Sequence, residues 1–429
     1  MSHSNVALRN NIRPRGGFPV FERWLLRQIF KAIGPAPLRL RFKNGEEMSL
    51  PGAAPLATIE MRDLPTLAQM MIDPEVAFGE AYCDGRIEVH GDLVKALEAV
   101  YESWPNGRAN TSWYQRLTSK WMARRQENSL YGSRHNVHSH YDLGNDFYKL
   151  WLDRQLVYTC AYFPEPSATL EEAQEAKLDY VCRKLHLQPG ERVVEAGCGW
   201  GSLAIYMVRN YGVTVKAFNI SHEQIQYARD RAVEAGLTGK VEFVEDDWRN
   251  ITGRFDVFVS VGMLEHVGIA DYPRMGDVIY RSIGDSGRGL LHFIGRSYKG
   301  AFSRWIRKRI FPGAYAPTLA EAMNILQPHR YEVLDVENLR SHYARTIEHW
   351  LERFEASGER VSEMYGDWFR RAWRLYLAGS IAAFHTGTLQ LFQVSFAGPR
   401  SPFTSWTRAP LYTDSKPAGE ETKWTPTMS

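Results

Sequence analysis

Apolar and polar residues alternate with two different characters along the chain. Up to about Trp104 the pattern is mixed. PVFERWLLRQIFKAIG has helical spacing, with Arg23, Arg27 and Lys31 four apart on one face beside a wide apolar surface. LRLRFKNGEEMSL alternates with period two around Asn44-Gly45, which predicts a hairpin. DLPTLAQMMIDPEVAFGEAYCDGRIEVHGDLVKALEAVYES predicts helices interrupted by a glycine-containing turn and a short strand. Residues 1–110 therefore predict a small α+β accessory domain. PNGRANTS breaks the pattern, and WYQRLTSKWMARRQENS predicts a basic, aromatic linker helix over 111–130.

From about Tyr131 strand-like and helix-like segments alternate, as a doubly wound α/β sheet requires. ERVVEAG, VTVKAFN, VEFVEDD, FDVFVSV and GRGLLHFIG predict strands, with YEVLDVENL and LQLFQVSF as two more near the end. SLAIYMVRN, EQIQYARDRAVEAG and YPRMGDVIYRSI predict the helices between them. This second domain is expected over 131–412, and TDSKPAGEETKWTPTMS, residues 413–429, as a disordered tail.

Composition changes this picture little. Charged residues are 24% and the formal net charge is +3, so no nucleic-acid partner is indicated. Thirteen tryptophans suit apolar ligands or a membrane interface as well as a large core. Cys83, Cys160, Cys182 and Cys198 have no CxxC spacing, which fits a reducing compartment. MSHSNVALRNNIRPRGG lacks a signal-peptide core, and no apolar run is long enough to span a bilayer. The expectation is a cytoplasmic protein whose membrane contact is peripheral.

The strongest local motif runs from Val193 through Glu195, Gly197 and Gly199 to Gly201. A β-branched strand ends in an acid and an alternating-glycine turn before a helix. The G-x-G-x-G spacing differs from the G-x-G-x-x-G dinucleotide fingerprint and lacks the Lys-Ser/Thr of a P-loop. It favours a ligand that joins a nucleoside to an amino acid, with Glu195 accepting from its ammonium end. Asn219 ends the next strand where a ribose hydroxyl would sit, and Gln224 follows one turn into the helix. Asp247-Trp248 ends the third strand, with a carboxylate for an adenine amino group and an indole for the ring. Cys160, Glu265, His292 and Tyr343 also carry chemistry, but spacing alone does not bring the four together, and each taken singly reads more readily as packing. His135, His138 and His140 give no full ligand set with cysteine or carboxylate, so no metal is expected.

HSHYDLGNDFYKLWLD, YTCAYF, EAGCGWG, FNISHEQ, SVGMLEHVG, LHFIG, RKRIFPGAYAPTL and LQLFQVSF occur in one order between about Tyr131 and Phe396. On these stretches the chain resembles the cyclopropane-fatty-acyl-phospholipid synthases, including the mycolic acid cyclopropane synthases. The resemblance implies a class I methyltransferase fold, doubly wound and Rossmann-like, with a small N-terminal α+β accessory domain that is a candidate lipid-binding unit. It implies S-adenosylmethionine as methyl donor, held by Tyr158, Thr159, Gly197, Gly199, Gly201, Asn219, Ile220, Gln224, Asp247 and Trp248. It implies a bicarbonate ion caged by Cys160, Glu265, His292 and Tyr343, with a main-chain group at Ile294 helping. Two departures stand out: Ser380 replaces a cysteine found in many members, which rules out a thiol nucleophile there, and Asn219 replaces a common threonine.

The implied reaction transfers the methyl carbon to the double bond of an unsaturated phospholipid acyl chain and closes a cyclopropane ring, with bicarbonate as base. The alternative is a fatty-acyl C-methyltransferase giving a methyl- or methylene-branched chain; no single residue separates the two. A small-molecule methyltransferase is a further alternative. The substrate lies in a bilayer, so peripheral association with the inner face of the cell membrane is expected. AFSRWIRKRIF gathers Phe302, Trp305, Ile306 and Ile310 on one helical side and Arg304, Arg307 and Lys308 on another, and is the candidate contact. It reads equally well as a basic face packed on the core. The longer bacterial members of the family are expected to form homodimers.

Overall fold

The structure, a computed structural model, describes residues 36–42, 45–49, 54–103, 143–300, 302–403 and 406–412, with a short strand at 13–15. The helix expected around Arg23, the linker helix of 111–130, the histidines 135, 138 and 140, and the tail of 413–429 lie outside these residues.

Two sheets organise the chain. The first has five strands: β1 (Arg13–Arg15), β2 (Leu38–Phe42), β3 (Glu47–Ser49), β4 (Ala57–Met61) and β5 (Ile87–Gly91), in the order β1-β3-β2-β4-β5. The hairpin read around Gly45 is the antiparallel β2–β3 pair, and β2 and β4 run parallel. Their inward residues Leu38, Leu40, Ile59 and Met61 are buried with period two. Helices α1 (Leu64–Ile72), α2 (Pro74–Cys83) and α3 (Leu93–Ser103) cover the sheet. Asp63 and Asp73 start α1 and α2 by accepting the Thr66 and Val76 N–H groups, each with proline just inside the helix.

The second sheet has seven strands in the order β11-β12-β10-β9-β6-β7-β8. They are β6 (Arg192–Ala196), β7 (Thr214–Asn219), β8 (Val241–Glu245), β9 (Val257–Val261), β10 (Arg288–Gly295), β11 (Glu332–Asn338) and β12 (Gln390–Ala397). All seven coincide with strands read from the sequence. β10, β9, β6, β7 and β8 are mutually parallel, and β12 runs antiparallel between β10 and β11. Helices α4 (Leu170–Lys184), α5 (Ser202–Tyr211), α6 (His222–Glu234) and α7 (Tyr272–Ile283) cover its two faces. The sheet order turns back between β6 and β9, so the β6 loop opens at the switch point where such sheets bind ligands.

Three further helices join the two sheets: α8 (Arg304–Arg309), α9 (Arg340–Ala356) and α10 (Gly358–His385). Arg371 of α10 donates to the Tyr82 carbonyl at 2.6 Å and the Ile87 carbonyl at 3.0 Å. The Trp368 indole N–H reaches Asp84 at 3.1 Å. On α8, Arg304 pairs with Asp73 at 2.9 Å, and Lys308 and Arg309 both pair with Glu80. The candidate membrane segment is thus largely an internal clasp: three of its cations face acids of α2 and its N-cap, and Trp305 is buried against Gly79. Among the described residues no helix is long and apolar enough to cross a membrane.

Trp305 rests directly on the α2 backbone because position 79 has no side chain. A Cβ there would overlap the indole ring. Gly79→Ala is expected to loosen the clasp and cost about 1–3 kcal/mol, the usual penalty of overpacking, read as a lowered midpoint in thermal unfolding. An unchanged midpoint would show that Trp305 relaxes freely.

Candidate active site

The glycine turn after β6 opens a pocket at the carboxyl ends of β6 to β9. It is lined by Tyr158, Thr159, Gly197, Gly199, Asn219, Ile220, Gln224, Asp247 and Trp248, together with Glu195 and Lys177. These are the residues expected for the methyl donor, with one exception. Gly201 is not on the pocket wall: a Cβ there would lie 2.6 Å from the Phe243 ring and 2.8 Å from the Ala228 methyl. Its glycine identity serves the packing of α5 against α6 and β8, and its φ of +80° starts the helix. Gly199 has open space where a Cβ would stand, so a ligand can approach its backbone.

Asn219 donates its amide to the Gln224 side chain at 2.6 Å and accepts the Ile220 N–H at 2.8 Å. It braces the turn as well as lining the pocket. The Asp247 carboxylate is buried and accepts from the Arg249 guanidinium at 3.0 and 3.1 Å. This pairing keeps a charge in the pocket wall without leaving it uncompensated.

At the inner end, Glu195 and Lys177 are both buried. Burial pushes the Glu195 carboxyl up to about 8, with Lys177 opposing the shift. Burial pushes the Lys177 ammonium down to about 8, against the pull of Asp153. One Glu195 oxygen has no protein partner, while Lys177 donates to the Thr159 hydroxyl at 2.9 Å. A carboxyl and an amine with spare bonding capacity, both displaced towards neutrality, suit the ammonium and carboxylate of an amino-acid ligand, whose charges would favour their ionised forms. Lys177 escaped the sequence reading. Its signal was present: it falls on the α4 stripe of Leu170, Ala173 and Val181, where a lysine has no solvent to reach.

A second, largely apolar cavity adjoins the first, and Tyr158, Thr159, Gly262 and His266 line both. Glu265, Ile294 and Tyr343 line this second cavity. Glu265 sits on the 3₁₀ turn Leu264–His266 after β9. One of its oxygens accepts the Ile294 N–H of β10 at 2.5 Å, and the other is buried without a partner. Burial pushes its carboxyl up to about 7. The Ile294 N–H is thereby committed to orienting Glu265.

His292, two residues earlier on β10, is buried behind that wall and does not line the cavity. Gln393 stands opposite it on β12, and its side-chain amide nitrogen lies 2.9 Å from the His292 Nδ1. An amide nitrogen only donates, so Nδ1 accepts and the ring proton belongs on Nε2. Nε2 is buried without a partner. Burial, helped by Lys177 and Lys184, lowers the ring's affinity for a second proton. Cys160 also stands behind the wall; its thiol contacts the Ala161 carbonyl at 3.1 Å, and burial pushes it far up. It is a packed thiol and not a nucleophile. Ser380 lines the cavity and donates to the Tyr376 carbonyl at 2.8 Å. His266 and Gln393 were missed by the sequence reading. His266 lies beside Glu265 in the quoted motif, whereas Gln393 became meaningful only through the β10–β12 register.

Residues 129–394 match the family described as mycolic acid cyclopropane synthetase, and residues 25–109 match a domain of unknown function. A probable fatty acid methyltransferase from Pseudomonas putida is 33% identical over 387 residues, covering 88% of this chain and 96% of its own. The cyclopropane-fatty-acyl-phospholipid synthase of Escherichia coli K12 is 39% identical over 259 residues, 60% of this chain and 66% of its own. The cyclopropane synthase MmaA2 of Mycobacterium tuberculosis superposes with a TM-score of 0.59 at 27% identity, covering 62% of this chain and 98% of its own. With the donor pocket and the adjoining apolar cavity in place, the chain belongs to the mycolic acid cyclopropane synthetase family of S-adenosylmethionine-dependent methyltransferases.

Proposed function

We infer that the chain transfers the methyl carbon of S-adenosylmethionine to the double bond of an unsaturated phospholipid acyl chain and closes a cyclopropane ring. The observation that carries this reading is the junction of the two cavities at Tyr158, Thr159, Gly262 and His266. A donor in the glycine-turn pocket and a hydrocarbon chain in the adjoining apolar cavity would meet there.

An alkene is a weak nucleophile, so alignment with the sulfonium carries much of the rate. Methyl transfer leaves a cation on the chain. The aromatic side chains of Tyr158 and Tyr343 line the apolar cavity, where they can help to stabilise it. Loss of a proton from the new methyl group then closes the ring. The free Glu265 oxygen and the His292 Nε2–H, both buried and unpartnered, suit a small oxyanion that bears one hydroxyl. Glu265 and Tyr343 line the cavity and would hold bicarbonate, which supplies a base when bound; His292 stands behind them, where its Nε2–H would back the site. Glu265 would accept from its hydroxyl, and the Ile294 N–H and Gln393 keep the Glu265 and His292 side chains in place.

The second reading, a fatty-acyl C-methyltransferase that leaves a branch, is favoured by the match to the Pseudomonas relative along nearly all of that protein's length. The two readings share the methyl transfer and differ in the fate of the cation. Proton loss from the new methyl with ring closure gives the cyclopropane, proton loss from a chain carbon gives a methyl-branched alkene, and a hydride shift before proton loss from the methyl gives a methylene branch. For either, the substrate implies work at a membrane surface, and the paired α8 cations direct the search for that contact away from 304–309.

Lipid extracts from cells expressing the chain are expected to carry acyl chains heavier by one CH2, with the high-field proton resonances of a cyclopropane. A mass gain with a methyl or methylene branch would establish the second reading, and no gain would reject both. Glu265→Gln and Tyr343→Phe are expected to lower kcat by about 10²–10³-fold while S-adenosylhomocysteine binds as before. Wild-type kcat in both would end the assignment. The Glu265 carboxyl is raised to about 7 and works ionised, so wild-type kcat should climb as pH rises through that value. The same limb should vanish in Glu265→Gln.

A further inference from the structure

The apolar cavity does not end at the catalytic sheet. It crosses into the N-terminal unit, where Met70 of α1, Phe78 of α2, Val89 of β5, and Leu97 and Val100 of α3 complete its wall. The same space that holds Glu265 and Tyr343 is therefore bounded on its far side by a domain of unknown function. The two sides share one core as well: Tyr82, Cys83 and Leu93 are buried in a single cluster with Tyr343, Trp373 and Phe384.

We propose that the N-terminal unit is the ruler of the acyl site: it receives the methyl-terminal part of the chain, and Leu97 sets how many carbons fit. The inference rests on reading the apolar cavity as the acyl site. Continuity with the catalytic groups identifies the occupant, because a chain whose double bond lies near Glu265 must continue into whatever space adjoins it. The chemistry of that wall agrees. Its surface is mainly aliphatic, sulfur and aromatic, suited to hydrocarbon and not to a charged headgroup. Its polar groups are Glu75 and Tyr101, which Arg296 approaches from the catalytic side, and the Glu75 carboxylate is already engaged by the Arg304 N–H at 2.9 Å.

A ruler must also be fixed. The wall is tied to α10 by the Arg371 bonds to the Tyr82 and Ile87 carbonyls and by Arg374 on the Tyr82 hydroxyl at 2.9 Å. It is tied to α8 by the Asp73 and Glu80 pairs. With these contacts on several sides, the distance from Glu265 to the far wall is a property of the fold. Leu97 is partly buried, lines the cavity and packs on the shared core, so its size changes the space available without removing a catalytic group.

The test uses the full chain with Leu97→Trp and Leu97→Ala. The probes are phosphatidylglycerols carrying cis-9 monounsaturated chains of fourteen, sixteen and eighteen carbons in mixed micelles. Relative turnover and equilibrium binding are both measured. Expelling one methylene from an apolar site costs about fourfold in affinity. Leu97→Trp should therefore lower the preference for the longest chain over the shortest by on the order of tenfold. Leu97→Ala should shift it the other way, with S-adenosylhomocysteine affinity and thermal midpoint close to wild type in at least one variant. Equal losses at all chain lengths, an unchanged profile, or a change confined to vesicle binding would each overturn the proposal. The binding arm separates this inference from the proposed reaction. A chain-length shift in binding without turnover by the wild type would keep the ruler and reject the reaction.

Discussion

The hydrogen bond from the Ile294 N–H to the Glu265 carboxylate holds the site together. It exists because β9 and β10 run parallel, with Val261 level with His292. The turn that follows β9 then lies over the end of its neighbour, and a carboxylate on that turn meets the next exposed amide. The contact removes half of the carboxylate's bonding capacity and aims the other half at the cavity. It also opposes the burial that raises the carboxyl, keeping it close enough to neutrality to ionise.

Buried charge is managed differently at the two ends of the donor pocket. Around the third strand end, Asp247 and Arg249 neutralise one another inside the protein. Around the first, Glu195 and Lys177 are displaced in opposite directions towards a common value. The first arrangement is complete by itself and is rigid. The second keeps an unpartnered oxygen in a low-dielectric setting, a cost that a zwitterionic ligand offsets on binding. The pocket is thus firm where a ring would lie and unsatisfied where charges would lie.

The seven strands of the catalytic sheet were legible in the sequence because each is a short run that is rich in apolar residues or alternates them with polar ones, set apart from its neighbours by polar or turn-forming segments. The donor pocket was legible for the same reason: a glycine turn and three strand ends are local features. Lys177 was harder to see, although its helical spacing placed it in the core. The Glu265–Ile294 bond and the pairing of Gln393 with His292 were not readable, since each depends on the register between strands far apart in the chain. The segment around Arg304 left two readings open for another reason. Its amphipathic pattern is real, but a pattern does not say whether acids of another unit or of a membrane will meet the cations.

The position of β12 carries one more consequence. It is the last strand of the sheet, and it enters antiparallel between β10 and β11. Its Gln393 decides which nitrogen of His292 holds the proton. During synthesis the donor pocket, drawn from residues up to about 312, emerges well before this strand does. The residues that line the donor pocket are thus all made before the strand that fixes the His292 proton, and the place of that proton is settled only when the sheet closes.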